Sequence, residues 1–194
     1  MNHEAKRTLS AFLQISLDGY YSDSQGDISF AHKLPDDREW QQFTDENAAS
    51  GNMLVFGRHT YEMMAAWWPT PAAAAAMPEV AAGMNQVPKL VFSRNLKDAT
   101  WHNSTVIADD PATSMRRLKS EPGPDMTILG SGSIVGQLIG TGLIDTLQIA
   151  ICPIALGAGK SLFAGILGPL QFTLTQSRTF ANGSVVLCYS PRNA

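Results

Sequence analysis

Four times in this chain an apolar run stops abruptly at small, polar or basic residues. Ser16-Leu17-Asp18-Gly19 ends the first run and Gly57-Arg58-His59-Thr60-Tyr61-Glu62 the second. Ser93-Arg94-Asn95 ends the third and Gly130-Ser131-Gly132-Ser133 the fourth. In an open α/β sheet such junctions are the carboxyl ends of strands, where ligands bind. The series points to a sheet with a binding site along its strand ends.

The periodicity between the junctions supports that class. Leu9, Ala11, Leu13, Ile15 and Leu17 alternate with Ser10, Gln14 and Ser16, which predicts a strand with one buried face, although Phe12 breaks the polar side. Asp36 and Glu39 form a capping-box-like start for a helix running to about residue 50. Residues 53–56 read as a short buried strand and residues 60–66 as a short helix stopped near Pro69. Residues 67–78 are irregular, with two prolines, five alanines and a third proline. They predict an insertion, either a loop or a single helical turn, that could fold over a pocket or lie idle on the surface. Strands are expected at 89–93, 105–108, 126–129 and 147–151. Helices are expected at 111–120 and 133–139, the latter closed by Gly140 or Gly142. Residues 172–180 and 185–189 flank Asn182-Gly183, a hairpin signal. Strands alternating with helices give an α/β class with a mostly parallel sheet, to which the last hairpin adds antiparallel strands. No repeat or low-complexity linker divides the chain, so one domain is expected.

Composition removes several function classes. Of 194 residues, 44% are hydrophobic, enough for a sizeable core, and a net charge of -3 gives no basic footprint for nucleic acid. No apolar stretch approaches the ~20 residues of a membrane span, and residues 1–8 are polar without a signal-peptide pattern. Cys152 and Cys188 lie in apolar runs without metal-ligand spacing, which predicts reduced core thiols and a cytoplasmic protein. His3, His32, His59 and His102 are scattered, so no metal site is expected. No Gly-x-Ser-x-Gly elbow for a serine hydrolase occurs.

Gly130-Ser131-Gly132-Ser133 joins a strand to a helix. Its glycines let the backbone approach a ligand, and the helix start offers free N–H groups, so a pyrophosphate would fit there. Read alone, a tight turn explains it as well. A side chain at Gly132 would be expected to block the backbone approach. The Rossmann fingerprint does not fit, because Gly136 falls one residue late, and Gly159-Lys160-Ser161 lacks the spacing and following helix of a P-loop. Gly57-Arg58-His59-Thr60 opens another helix, which Thr60 could cap while Arg58 holds an anion. Ser93-Arg94 is either a solvated strand end or a phosphate contact. Three such sites on successive strand ends point to one extended, multiply charged ligand.

These motifs together resemble a known family. Residues 57–62 are very close to the Gly-Arg-x-Thr-aromatic-Glu segment of dihydrofolate reductases, and Ser93-Arg94 falls where those enzymes carry a Ser-Arg or Ser-Ser turn. Ser-Leu-Asp-Gly at 16–19, Gly-Ser-Gly at 130–132, Gly-Leu-Ile-Asp at 142–145 and Pro-Ile-Ala-Leu-Gly-Ala-Gly at 153–159 are closer still to proteins like the reductase domain of bacterial riboflavin biosynthesis, the RibD C-terminal domain. The resemblance covers roughly residues 8–190. It implies a dihydrofolate reductase-like three-layer α/β fold and NADPH as cofactor. Gly57, Arg58 and Thr60 would then meet the phosphates, and Ser93 and Arg94 the adenosine 2′-phosphate. Gly130, Ser131, Gly132, Ser133 and Ile134 would carry the pyrophosphate, and Ala11 and Ile15 would lie beside the nicotinamide.

The implied activity is hydride transfer to a small heterocycle or ribosylamino-pyrimidine. A 5-amino-6-(5-phosphoribosylamino)uracil reductase or a dihydrofolate reductase would do this. Leu34-Pro35-Asp36-Asp37 resembles the segment that carries the pterin-binding acid of dihydrofolate reductases, which implies Asp37 in that place; an acidic first turn favoured by the helix dipole explains it as well. Asp18 is the second candidate acid, or a turn residue. Trp67, Trp68 and Phe163 either wall a substrate pocket or belong to the core. The H-x-E and P-C-x-x-C elements of a zinc deaminase are missing, so no deaminase step accompanies the reduction. A non-catalytic dinucleotide-binding sensor would use the same pocket. The expected partners are a small-molecule substrate and a second copy in a homodimer, the latter on the low charged fraction and the family analogy.

Overall fold

A computed structural model describes residues 6–192; residues 1–5, with His3, and 193–194 lie outside it. In chain order the elements are β1 (Leu9–Ile15), β2 (Tyr20–Ser22), α1 (Arg38–Ala48), β3 (Met53–Gly57) and α2 (Arg58–Trp67). Then come α3 (Pro71–Ala76), α4 (Pro78–Gln86), β4 (Lys89–Phe92), β5 (Ser104–Ile107), α5 (Pro111–Ser120), β6 (Met126–Leu129) and α6 (Gly132–Leu138). The chain closes with β7 (Thr146–Ile151), β8 (Lys160–Ser161), β9 (Phe172–Thr179) and β10 (Val185–Pro191). One eight-stranded sheet runs β5-β4-β3-β6-β1-β7-β10-β9, and β2 pairs with β8 in a separate two-stranded tab. Strands from β5 to β7 are parallel, and β10 and β9 join antiparallel.

Alternation decides which helix covers which face. Leu9, Ala11, Leu13 and Ile15 point into a core with Met115 of α5 and Ile134, Val135 and Leu138 of α6. Phe12 points to the opposite face and packs edge-on against Phe43 of α1, ring centroids 5.9 Å apart. That contact is why β1 lacks a purely polar side. On the same side as α1, Leu54, Phe56 and Val91 meet Tyr61 of α2, Val80 and Met84 of α4, and Trp101. A Cβ on Gly83 would come within 2.5 Å of the Ala48 carbonyl, so the glycine sets how closely α4 lies against the end of α1.

Several elements differ from the sequence expectation. The first helix is capped by Asp37, not by a box of Asp36 and Glu39. The second helix begins at Arg58, so Thr60 lies inside its first turn and does not cap it. Within residues 67–78, Pro71–Ala76 form the short helix α3, between the end of α2 at Trp67 and the start of α4 at Pro78. Pro71 and Pro78 each occupy a first helical position, where a missing N–H costs nothing, and Thr70 caps α3 by accepting from the Ala73 amide at 3.2 Å. The pair α4 and β2–β8 was not anticipated. Gly142, with φ +70°, closes the segment after α6. Lys89 opens β4 as a buried cation: its Nζ donates to the carbonyls of Asn85, Val87 and His102 at 3.1, 2.8 and 3.1 Å and lies 4.4 Å from the Trp101 ring centre. Burial pushes its pKa down to about 8.

Candidate functional site

The predicted junctions fall on one rim. β4, β3, β6 and β1 are consecutive neighbours, and Ser93, Gly57, Gly130 and Ile15 stand at or just past their carboxyl ends. At about 4.8 Å per strand, the four ends span roughly 14 Å. β1 and β6 stay paired up to Phe12 and Leu129, and the Gly130 amide still donates to the Phe12 carbonyl at 2.9 Å. Beyond that point the chain leaves β1 for α1 on one face and β6 for α6 on the other. The parting strand ends leave the kind of crevice in which α/β proteins bind ligands.

Gly57, Thr60, Gly130, Ser131, Ser133 and Ile134 converge there. The Gly57 amide donates to Ser131 Oγ at 2.8 Å, a buried bond that ties the end of β3 to the end of β6. A Cβ on Gly57 would lie 3.3 Å from Ile134 Cγ1 and 3.6 Å from Ser133 Oγ. One on Gly130, whose φ is +64°, would meet only Thr60 Cγ2, at 3.7 Å. Ser131 therefore spends its hydroxyl on the scaffold, while Ser133 is exposed and its hydroxyl has no protein partner among the described residues.

The basic residues differ in freedom. Arg58 Nη1 bonds both Glu62 oxygens at 3.0 and 3.1 Å, so part of its charge is already answered. Ser93 Oγ accepts from the Asn95 and Leu96 amides at 3.2 and 2.9 Å and shapes the turn on which Arg94 stands. Arg94 is exposed, and no ion pair engages it among the described residues.

Ala11 does not reach the rim. It has no exposure, and it sits mid-strand between Ile128 and Leu147 in the ladder. Its assignment beside a nicotinamide is corrected on that ground. Ile15, at the end of β1, does reach the rim but turns its side chain into the α6-side core. Gln14, which the sequence reading passed over, faces the α1 side and donates to the Ala31 carbonyl at 3.1 Å. The signal was available: it is the last polar position of the β1 alternation.

Both candidate acids are occupied by N–H donors. Asp37 Oδ1 accepts from the Glu39 and Trp40 amides at 2.9 and 3.2 Å, and Oδ2 from Asn182 at 2.9 Å. The Asn182 amide above all holds its carboxyl below the usual range. Asp37 thus caps α1 and ties it to the β9–β10 turn. Asp18 accepts from the Ser16 hydroxyl at 2.6 Å, from Leu156 N at 3.1 Å and from Gly157 N at 2.7 Å. The Ser16 hydroxyl and those amides bring its pKa down to about 2. The Ser-Leu-Asp-Gly and Pro-x-x-Leu-Gly-x-Gly motifs are two halves of one joint.

A tab covers the start of α6. A Cβ on Gly132 would lie 2.5 Å from Tyr21 Cγ, and one on Gly159 would lie 2.2 Å from the Ser22 carbonyl oxygen. The bareness of Gly132 is therefore used by the Tyr21 ring, which occupies the space that a side chain there would take. Trp68 packs in the core and its Nε1 lies 3.0 Å from Met64 Sδ, whereas Trp67 and Phe163 are exposed. Among the described residues no group of His, Cys, Asp and Glu could hold a metal ion, and no helix is long and apolar enough to cross a membrane.

Comparison with known proteins agrees with this architecture. The RibD C-terminal domain family matches residues 7–186. The uncharacterized protein YyaP of Bacillus subtilis (strain 168) is 26% identical over 188 residues, covering 97% of each chain. A putative riboflavin biosynthesis protein from Shewanella sp. PV-4 superposes with a TM-score of 0.72 at 21% identity, over 96% of this chain and 99% of that one. Dihydrofolate reductase from Enterococcus faecalis, solved with NADP(H), does so with a TM-score of 0.63 at 15% identity, over 97% and 98%. With its mostly parallel sheet, antiparallel last strands and family match over nearly its whole length, the chain has a dihydrofolate reductase-like fold and belongs to the RibD C-terminal domain family.

Proposed function

We propose that the protein is an NADPH-dependent reductase acting on a small heterocycle or a ribosylamino-pyrimidine. The observation that carries this reading is the convergence of Gly57, Thr60, Gly130 and Ser133 around the Ser131–Gly57 bond, on a rim that Arg94 extends. Family membership supports it, as does the NADP(H) held by the Enterococcus neighbour. The residues fit such a cofactor: the Gly130 backbone is open to close approach, and among the described residues the Ser133 hydroxyl has no partner and Arg94 no ion pair.

Bound NADPH supplies the hydride. Arg94 answers the 2′-phosphate charge, while Arg58 and the α2 start, with Ser133, face the bridging phosphates. Ile15 and Gln14 border the nicotinamide end of the crevice. Asp37 and Asp18, both ionised, hold its walls by tying α1 to the last hairpin and the 16–19 turn to residues 156–157. That both acids are occupied by N–H donors favours one second reading, a dinucleotide-binding sensor without catalysis.

Calorimetric titration with NADPH and NADH, followed by nicotinamide absorbance with a panel of pterins and ribosylamino-pyrimidines, separates the two. A reductase binds NADPH at least about tenfold tighter than NADH and oxidises it with one of the panel. Binding without oxidation selects the sensor, and absence of binding overturns both.

The homodimer belongs to the same proposal. β9 is one of the two edge strands of the sheet, and its residues 173–177 are exposed and uncharged, Leu174 at 51%. Such an edge favours pairing with a second copy. Sedimentation at micromolar concentration should give twice 20.9 kDa. Buried, unpaired Cys152 and Cys188 fit a reducing, cytoplasmic setting.

A further inference from the structure

On the α1 face, away from the rim, the sheet carries a polar row where a core would be expected. Gln148 of β7, Cys188 of β10 and Gln176 of β9 are successive cross-strand partners and so share one face. α1 covers that face only in part. Its Phe43, Glu46 and Asn47, spaced i, i+3 and i+4, stand beside the row and line a cavity of about 210 Å3 with it. Phe43 and Val186 form its side toward the small core under α1. Two opposite charges from different elements also line it, Glu46 of α1 and Arg178 of β9. Among the described residues they form no ion pair with each other. Glu46 Oε1 accepts from the Gln42 side chain at 2.9 Å, and Oε2 has no partner among the described residues. Arg178 meets Glu39 only loosely, at 3.7 Å, and its guanidinium lies 4.8 Å from the Phe180 ring centre, a contact that places it without using its donors. The carboxamides are underused too. Gln148 Nε2 reaches the Cys188 sulfur at 3.5 Å, and the side chains of Asn47 and Gln176 make no hydrogen bond among the described residues.

We propose that this cavity binds a free amino acid with an amide side chain, of the size of glutamine. Arg178 takes the α-carboxylate, Glu46 the α-ammonium, and the carboxamides of Gln148 and Gln176 the side-chain amide. One acid and one base in a shared cavity suit a ligand that carries both charges, and set a like charge beside a simple ion of either sign. Carboxamides both donate and accept, so they pair with another carboxamide. The volume falls below the roughly 300–1,000 Å3 of most ligand sites, which shuts out a nucleotide. No residue of the strand-end rim takes part, so the site stands independently of the reductase reading.

The test is an amide-resolved NMR titration of the isotope-labelled protein with three ligands. They are L-glutamine, N-acetyl-L-glutamine, which lacks the ammonium, and L-glutaminamide, which lacks the carboxylate. L-Glutamine should shift the amides of Glu46, Asn47, Gln148 and Gln176 with a Kd of about 1 mM, and leave those of Gly57 and Gly130 in place. Each blocked form should bind at least about tenfold more weakly, the loss of one charge-assisted contact. Two variants then assign the charges. Arg178→Gln should weaken L-glutamine about tenfold and no longer distinguish it from L-glutaminamide, and Glu46→Gln should do the same toward N-acetyl-L-glutamine. Glu46 is exposed, so its variant should keep the wild-type melting temperature, and the two blocked ligands test the wild type whatever Arg178→Gln does to folding. No saturable shift up to about 20 mM L-glutamine, shifts confined to the rim, or equal affinities for the three ligands would overturn the proposal.

Discussion

The hydroxyl of Ser131 accepts a hydrogen bond from the buried amide of Gly57 at 2.8 Å, joining two strand ends that are 74 residues apart in sequence. Ser131→Ala leaves that N–H without a partner in a site closed to water. Stability should fall by about 1–3 kcal/mol. NADPH affinity should fall with it, because both halves of the cradle lose their mutual spacing. Urea unfolding and cofactor titration of one sample check the two effects together.

Among the described residues no ion pair engages the exposed Arg94 at the rim. Arg94→Ala should weaken NADPH by roughly 10- to 100-fold, the worth of a charge-assisted contact. NADH should be nearly unaffected, since it lacks the 2′-phosphate. Equal losses for both cofactors in a titration would remove Arg94 from that role.

Gly132→Ala drives a methyl group into the Tyr21 ring, which stands 2.5 Å from the added carbon. The variant should melt lower than the wild type whether or not cofactor is present. The double variant Gly132→Ala with Tyr21→Ala should recover part of the loss caused by the alanine at 132. A thermodynamic cycle on the four proteins measures the coupling, and strict additivity would show that Tyr21 is not what requires the glycine.

Asp37 uses both carboxylate oxygens on backbone amides. In Asp37→Asn one of them becomes an NH2 group, which faces a donor with a donor. The melting temperature should drop by about 2–4 °C or more. A direct proton donor predicts the opposite pattern, turnover down about 100-fold at unchanged stability. Thermal melts and turnover of the same variant decide between them.

The Asp18 carboxyl titrates near 2 in the folded chain against 3.8 for an unperturbed side chain. A depressed folded value means that the unfolded chain binds the proton first as pH falls. The Asp18 contribution is therefore complete above about pH 5 and is lost as pH drops through the carboxylate range toward 2. Asp18→Asn should accordingly destabilise at about pH 6 and much less at about pH 3. A constant difference across that interval would mean that the carboxylate's charge is not what the joint uses.

The fold was legible because alternation and glycine punctuation are local. β1, β3, β6, β7 and the Asn182-Gly183 hairpin all follow from runs that carry their own boundaries. What escaped depended on distant partners. α4 needed the Gly83–Ala48 approach, and the β2–β8 tab pairs residues about 140 positions apart, which no window of sequence displays. Within the site, the glycine and basic positions could be found by their place at strand ends. Ala11 was placed by the resemblance, which supplies the strand and not a residue's depth below the rim. Asp18 and Asp37 announced themselves as acids near a crevice, but which donors would claim their oxygens is a tertiary fact. Leu156, Gly157 and Asn182 arrive from the last third of the chain.

The insertion of β6 between β3 and β1 has a consequence for how the chain is made. Leu9 must pair with Met126, and Ser10 with Thr146, before β1 has a neighbour on either side. A growing chain that has completed β1 to β5 thus holds an apolar strand with neither partner yet synthesised. The Asp145 carboxylate and the Pro124 carbonyl, which fasten the Leu9 amide and the Arg7 guanidinium, come equally late. Closing loops of that length is slow compared with forming helices and hairpins. During synthesis, β1 is the segment exposed longest, and the one that a chaperone or an aggregating neighbour meets first.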